Sequence, residues 1–309
     1  MKLLKYIFLL CLIFTTITIA QTDESVNDFL NSDDFPGTSI YGRNDYIQYI
    51  PGTLPLVLSA PHGGYKKPDE LKDRIDGTDH YDRLTIEVTL NVQKSFYELT
   101  GKYPYVILNR LQRIKLDPNR AIKIAAQGDS LAEIAYNEFH NFIEIAEKDV
   151  EEKWGTGLYI DIHDHDHKTH LYELGYLLEG GLLSFSDADL DDPLFMEKSS
   201  LKNLAKKSPY KFSEILRGDV SFGAYLSQHG YNVVPSPSIP SPGTDYFYSG
   251  GYNTQVHGTP TPNFNGFQIE LPWDDVPDSE IDVKKFSTDF MNAVIEFMKT
   301  HYNLDLTNL

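Results

Sequence analysis

Through the middle of this chain, apolar runs of strand length alternate with longer stretches of helical period, and no other feature restricts the fold as much. Residues 54–60, 103–108 and 158–162 read as strands, while 84–99 and 131–150 between them carry apolar residues at three- and four-residue spacing and read as helices. Strands that are apolar on both faces, separated by helices, call for a mostly parallel sheet covered on each side. Further strands are expected at 172–178 and 266–271. A closing helix is expected at 286–301, where Phe290, Ala293, Val294, Phe297 and Met298 stand at core spacing. The expected fold class is therefore α/β, a single three-layer α/β/α domain around a mixed, mainly parallel sheet.

Two stretches interrupt the rhythm. Residues 187–217 are polar and helical in small pieces, and 235–263 are rich in Pro, Gly, Ser and Tyr, a long connection of the kind that is either functional or disordered. No repeat and no shift of composition marks a second domain, so 38–309 is expected to be one unit. The first residues read differently: Lys2 and Lys5, an apolar run over 6–17, then Thr18, Ile19 and Ala20, the order of a secretory signal peptide and too short a run to span a bilayer. Cleavage near Ala20 would leave a flexible acidic lead-in over 21–37 and a secreted or periplasmic protein without its single cysteine, Cys11. With 27 Lys and Arg against 45 Asp and Glu the charge is −18, which repels nucleic-acid phosphates and anionic lipid heads. The expected partner is a small-molecule or peptide substrate, with no nucleic acid and no membrane in the mature form; composition leaves the oligomeric state open.

Residues that carry chemistry gather at the ends of the expected strands. The densest group runs from Tyr159 to His167, with Asp161, His163 and His165 on one strand face and Leu158, Ile160 and Ile162 on the other. A second is Pro61-His62-Gly63-Gly64, where two glycines allow a sharp turn beside a ligand. In an open α/β sheet, ligands bind beyond the carboxyl ends of the strands, which is where these imidazoles fall. A catalytic metal needs a third protein ligand, and Asp79, Asp82 and Glu87 all offer one; Asp82 could equally cap the helix that follows. His165 rivals His163, since both lie on the same face. Arg110, Arg113 and Arg120 bring guanidinium groups able to hold a carboxylate or a developing oxyanion, or to pair with the acidic exterior. Glu270 emerges opposite Phe267, Ile269 and Leu271, and an acid leaving a buried strand suits a general base beside a metal. No His-Glu-x-x-His helix, Gly-x-Ser-x-Gly elbow, phosphate-binding loop or cysteine nucleophile is present.

The series Pro61-His62-Gly63-Gly64, Asp82 to Glu87, Arg113 to Arg120, Tyr136 to His140, Asp161-Ile162-His163, Gly250 to Thr254 and Gln268 to Leu271 resembles the N-formylglutamate amidohydrolase family, in that family's order. The resemblance implies a zinc-carboxypeptidase-like, phosphorylase/hydrolase-like fold and one zinc per chain on His62, Asp82 and His163. It further implies Glu270 as base and Arg113 polarising the scissile carbonyl, with Asn119, Arg120 and Tyr252 binding substrate. Members usually carry an arginine soon after the Gly-Gly-x-x-Thr motif, where this chain has Gln255. The activity expected on this basis is zinc-dependent hydrolysis of an amide bond adjacent to a carboxylate. The alternatives are a peptidoglycan or peptide amidase of related fold, and a non-catalytic metal- or glycan-binding protein using the Tyr-rich loop.

Overall fold

A computed structural model describes residues 35–273 and 280–309. The expected signal peptide, and the lead-in up to residue 34, lie outside the described residues.

The described strands form one mixed sheet. They are β1 (Ile40–Tyr41), β2 (Ile47–Ile50), β3 (Leu56–Ala60), β4 (Tyr105–Asn109), β5 (Gly157–His165), β6 (Tyr172–Gly175), β7 (Val233–Val234) and β8 (Phe264–Pro272), in the spatial order β1-β2-β4-β3-β5-β8-β6-β7. The centre, β4-β3-β5-β8, is parallel throughout, so four carboxyl ends open on the same edge. Antiparallel β2 borders β4, and antiparallel β6 borders β8. This is the mixed, mainly parallel α/β sheet that the alternation predicts. The antiparallel strands β1 and β2 are additions the sequence did not announce, because runs of two and four residues are too short to carry a period.

Helices cover both faces. Helix α1 (Thr85–Thr100) packs with α4 (Glu280–Tyr302), where the Ser287 hydroxyl donates to the Val88 carbonyl at 3.4 Å. Phe222, Phe267, Phe290 and Phe297 meet ring to ring in this layer, and each fully buried ring contributes about 1.5–3 kcal/mol over exposure. Helix α2 (Ser130–Trp154) lies on the other face over Val57, Tyr105, Ile107 and Tyr159. Asp129 caps it by accepting from the amides of Leu131 and Ala132, and left-handed Gly155 ends it. Polar residues 187–217 fold into short helices at Asp187–Leu190, Pro193–Met196, Lys202–Lys207 and Phe212–Arg217, as their patterning suggests. Within the long connection, Tyr252–His257 forms helix α3.

Beyond α2 the face it covers continues as Ser59, Asp161 and His163, all buried polar groups. To reach that point the chain after β3 must pass against the chain after β4. Gly64 makes this possible: a Cβ there would stand 2.3 Å from the Arg110 carbonyl carbon and 2.5 Å from the Leu111 oxygen, both backbone. Gly181 meets nothing within 4 Å. Gly64→Ala should therefore lower stability by about 1–3 kcal/mol, the usual cost of overpacking, whereas Gly181→Ala should leave it unchanged or slightly raised. Urea melts of both variants check the contrast, and equal midpoints would show that the two loops can part freely.

Candidate metal centre

Three side chains from three chain segments converge at the sheet's carboxyl edge. His62 follows β3, His163 is on β5, and Asp82 lies in the connection between β3 and α1. His62 Nδ1 is 3.2 Å from His163 Nδ1; Asp82 Oδ2 is 3.3 Å from the former and 3.1 Å from the latter. Ligands held at 2.0–2.1 Å on a tetrahedral ion stand about 3.3–3.4 Å apart, so this triangle has the dimensions of one face of such a site. All three residues are buried.

Behind each imidazole stands a carboxylate. His62 Nε2 lies 2.7 Å from Asp117 Oδ1, and His163 Nε2 lies 2.7 Å from Asp161 Oδ2. An imidazole that gives its Nε2 proton to a carboxylate presents the Nδ1 lone pair on its other side, the arrangement that orients histidine ligands in metal sites. Asp161 is itself held by the Ser59 hydroxyl and, at 3.0 Å, by the Asn253 amide. Burial alone would raise the carboxyls of Asp82, Asp117 and Asp161. The imidazoles facing them, with Arg113 beside Asp117, outweigh that effect and hold all three below the usual range. Two ring nitrogens and a carboxylate oxygen converging on one buried point are a donor set compatible with a divalent ion.

The structure distinguishes among the rivals for the third corner. Asp82 takes it, with its own amide held 3.2 Å from the His62 carbonyl. The N-cap of α1 is Leu84, in a left-handed conformation and without a side-chain cap, so Asp82 is free of that alternative duty. Glu87 is buried elsewhere and accepts from the Tyr65 hydroxyl at 2.7 Å; Asp79 is exposed beside His80. His165 also turns away: its Nε2 lies 2.8 Å from the Leu171 carbonyl, and its Nδ1 accepts from the His167 amide at 3.0 Å. Both nitrogens being occupied, the nearby group of His165, His167 and Glu173 is satisfied by protein hydrogen bonds.

A cleft of about 270 Å³ opens over the triangle, and its walls include Arg113, Asn119, Arg120, Gln268 and Glu270. Glu270 is the cross-strand neighbour of His163 and shares its face. Gln268, one step back on β8, donates to Glu270 Oε1 at 2.8 Å. Burial pushes the Glu270 carboxyl well above its ordinary range, and His163 pulls it part of the way back. Arg113 is anchored through Nε to Asp117 Oδ2 at 3.0 Å and stands 3.6 Å from Asp82 Oδ1. Asn119 accepts from the Asn253 amide at 2.8 Å, and the Arg120 guanidinium donates to the Asn119 carbonyl at 2.8 Å. Gly251 lets the Asn119 amide approach, since a Cβ there would meet it at 2.3 Å.

Of the site residues that the resemblance implies, Tyr252 is the one not brought into the cleft, and Arg110 also lies outside its walls. The Tyr252 ring packs 5.8 Å from His140 and against the core under α2. Gln255 is exposed on α3, away from the walls. Asp117, Asp161, Gln268 and Asn253 were not singled out as site residues. The spacing Asp161-x-His163, which puts acid and imidazole on one strand face, was a signal available for Asp161; the partner of Asp117 lies 55 residues away and gives none.

No known family model matches the chain, and no curated protein does. Among solved structures the chain is similar to an N-formylglutamate amidohydrolase of Ralstonia eutropha, at 13% identity, covering 83% of this chain and 97% of that one with a TM-score of 0.50. A gene product of Agrobacterium tumefaciens matches at 13% identity over 81% of this chain and 94% of that one, with a TM-score of 0.44. A succinylglutamate desuccinylase of Chromobacterium violaceum matches at 11% identity over 92% and 76%, with a TM-score of 0.34. The first of these shows a shared α/β fold, the one that the resemblance implies.

Metal titration tests the triangle directly. His62→Ala and His163→Ala should each abolish stoichiometric binding of a divalent ion. Asp117→Asn and Asp161→Asn should weaken it by roughly 10–100-fold, the worth of a carboxylate behind a ligand histidine. His165→Phe should still bind one equivalent. Full occupancy in His62→Ala would show the site to be misassigned.

Proposed function

We propose that this protein is a secreted or periplasmic zinc-dependent amidohydrolase that cleaves an amide bond adjacent to a carboxylate, in an N-acyl amino acid or a peptide-like substrate. The observation that carries the reading is the His62, Asp82 and His163 triangle with Glu270 beside it in a cleft that also holds Arg113, Asn119 and Arg120. When bound, zinc supplies Lewis-acid polarisation of a carbonyl and makes water acidic enough to react near neutral pH.

The roles of the chain's own groups follow from their fixing. His62 and His163 are locked in one tautomer by Asp117 and Asp161, so their lone pairs need no reorganisation. Gln268 occupies Glu270 Oε1, which leaves Oε2 to take a proton from the attacking water and return it to the departing amine. A cation at the triangle would oppose the burial that raises this carboxyl and keep it basic. Arg113, held by Asp117, is a fixed positive charge at the place where the scissile oxygen gains negative charge. Asn119 and the exposed guanidinium of Arg120 bind the substrate's carboxylate.

The Ralstonia eutropha neighbour is an N-formylglutamate amidohydrolase, which supports amide hydrolysis as the chemistry. A secreted location rests on residues 1–20. A non-catalytic metal- or glycan-binding protein would use Tyr246 and Tyr248, which are both exposed, but has no use for a buried acid beside the triangle.

The test is hydrolysis and zinc content measured on one preparation against N-acyl amino acids, muropeptides and short peptides. Chelation should abolish turnover and added zinc restore it. Glu270→Gln should lower turnover by roughly 10²–10⁴ with zinc content unchanged, the usual worth of general acid–base help. Loss of metal in that variant would make Glu270 a ligand, and unchanged turnover would make it structural.

A further inference from the structure

A second hollow, of about 210 Å³, adjoins the cleft, and most of its walls take no part in the roles given above. It shares Asp82 and Arg113 with the cleft, so it begins where the scissile carbonyl would lie. From there the two spaces extend to opposite sides of His163 and Glu270 along the strands. The cleft is walled by Gln268, which precedes Glu270 on β8. The hollow is walled by His165 and Asp166, which follow His163, and by Trp273, which follows Glu270. Asn119 and Arg120 line the cleft and not the hollow. A substrate whose carboxylate rests on Asn119 and Arg120 therefore turns the other side of its amide, the acyl side, towards the hollow.

Rings and acids make up its lining. Tyr81, Tyr248 and Trp273 present aromatic surface, and Asp164 and Asp166 present carboxyl groups. Each ring is backed by another group: the Tyr65 ring lies 6.2 Å from Tyr81, His167 lies 4.6 Å from Tyr248, and the Arg83 guanidinium lies 5.8 Å over Trp273. The Trp273 amide donates to the His165 carbonyl at 2.9 Å. Asp164 is 8% exposed and accepts from the Arg83 amide. Burial, with Asp82 beside it, pushes the Asp164 carboxyl up to about 8, so the standing negative charge is that of exposed Asp166. Arg113, the arginine in this wall, is taken up by Asp117 and Asp82. Among the described residues no lysine or arginine pairs with Asp164 or Asp166, so the hollow offers a negative charge and acceptor oxygens beside aromatic faces.

We propose that the hollow is the acyl-side subsite and takes an ammonium group, so that the substrate is a short peptide with a positive charge on its acyl residue. This deepens the hydrolase reading above and rests on it for the direction in which the substrate lies. An ammonium donates to carboxyl oxygens in either protonation state and is attracted to aromatic faces. A neutral acyl chain uses the rings alone, and a second carboxylate is repelled by Asp166. A formyl group carries only hydrogen on that side and would leave the hollow empty. The α-ammonium of the acyl residue, next to the scissile carbonyl, would meet Asp164 and Tyr248, which line both spaces. A side-chain ammonium would reach Asp166 and Trp273, which line the hollow and not the cleft.

Binding and hydrolysis are measured separately on the zinc-loaded protein. The chain has two tryptophans, Trp154 and Trp273, so the Trp273 indole N–H resonance reports on the hollow while Trp154 serves as an internal control. Alanine amide carries an α-ammonium and N-acetyl-lysine amide a side-chain ammonium; N-acetyl-alanine amide and N-acetyl-norleucine amide are their uncharged counterparts. At least one ammonium probe should shift the Trp273 signal and bind about tenfold tighter than its counterpart, an advantage that shrinks with added salt. Asp166→Asn should cut that advantage to within about threefold, and Asp166→Lys should abolish it, with metal content unchanged. In hydrolysis, a dipeptide bearing the favoured ammonium should have a KM about tenfold below that of its uncharged analogue. Equal binding of charged and uncharged probes, a Trp273 signal that no probe moves, or an Asp166→Asn variant that keeps the full advantage overturns the subsite. Cleavage of N-formyl or N-succinyl amino acids with a higher kcat/KM than ammonium-bearing peptides overturns it too, and leaves the hydrolase reading standing. If the ammonium probes bind at Trp273 and no amide is cleaved, the ammonium site stands and the hydrolase reading fails.

Discussion

The register between β5 and β8 is the constraint on which the site depends. It pairs His163 with Glu270 and Asp161 with Gln268, and since side chains alternate across a strand, all four stand on one face. Extended to neighbouring strands, the same register gives two transverse rows: Ser59, Asp161 and Gln268, then His163, Glu270 and Glu173. Two residues of the inner row each support one of the outer row, and the third supports its neighbour within the row. Asp161 fixes His163, Gln268 fixes Glu270, and Ser59 fixes Asp161. A slip of β8 by one residue would turn Gln268 and Glu270 into the aromatic layer under α4, where buried Phe222, Phe290 and Phe297 leave them no place.

That arrangement concentrates charge at a cost the fold must offset. Asp82, Asp117, Asp161, His62, His163 and Glu270 are all buried, and burying ions is favourable only when each has a partner. Asp117 and Asp161 are satisfied by the outer nitrogens of the two imidazoles. Asp82 and the two Nδ1 atoms face one another across the triangle, a donor set compatible with a cation. Arg113 contributes to the same balance between Asp82 and Asp117, so it is a structural counter-charge before it is anything to a substrate.

Much of this was legible in the sequence, and the reason is period. Long apolar segments such as 84–99 and 131–150 carry enough turns to declare a helix, and both are found within a few residues of the expected bounds. His62, Asp82, His163 and Glu270 were legible as chemical types at strand ends. Which acid completes the triangle was not, because Asp79, Asp82 and Glu87 differ only in where the backbone after β3 points them. His165 shows the limit of alternation as a guide. It has the parity of His163, but it stands at the last position of β5 and its ring is claimed by the carbonyl of Leu171. Tyr252 shows another: a residue inside a matching motif packs, half-buried, against the core while its neighbours Gly250 and Gly251 line the cleft.

The long Pro-, Gly- and Tyr-rich connection gains its order from the same acids and amides that build the site. Glu173 accepts from the Tyr248 amide at 2.7 Å, Leu177 donates to the Ser249 carbonyl at 2.6 Å, and the Gly251 amide donates to Gln268 at 2.6 Å. Gly175 and Gly250 permit this approach, since a Cβ on the former would stand 2.6 Å from the Gly250 amide nitrogen and the latter adopts φ +128°. Residues 247–251 thereby become a wall of the cleft. Gln268 is the joint: its oxygen holds that wall at Gly251 while its amide nitrogen holds Glu270. A segment that reads in sequence as an unstructured connection is thus bound, through one side chain, to the acid at the centre of the proposed chemistry.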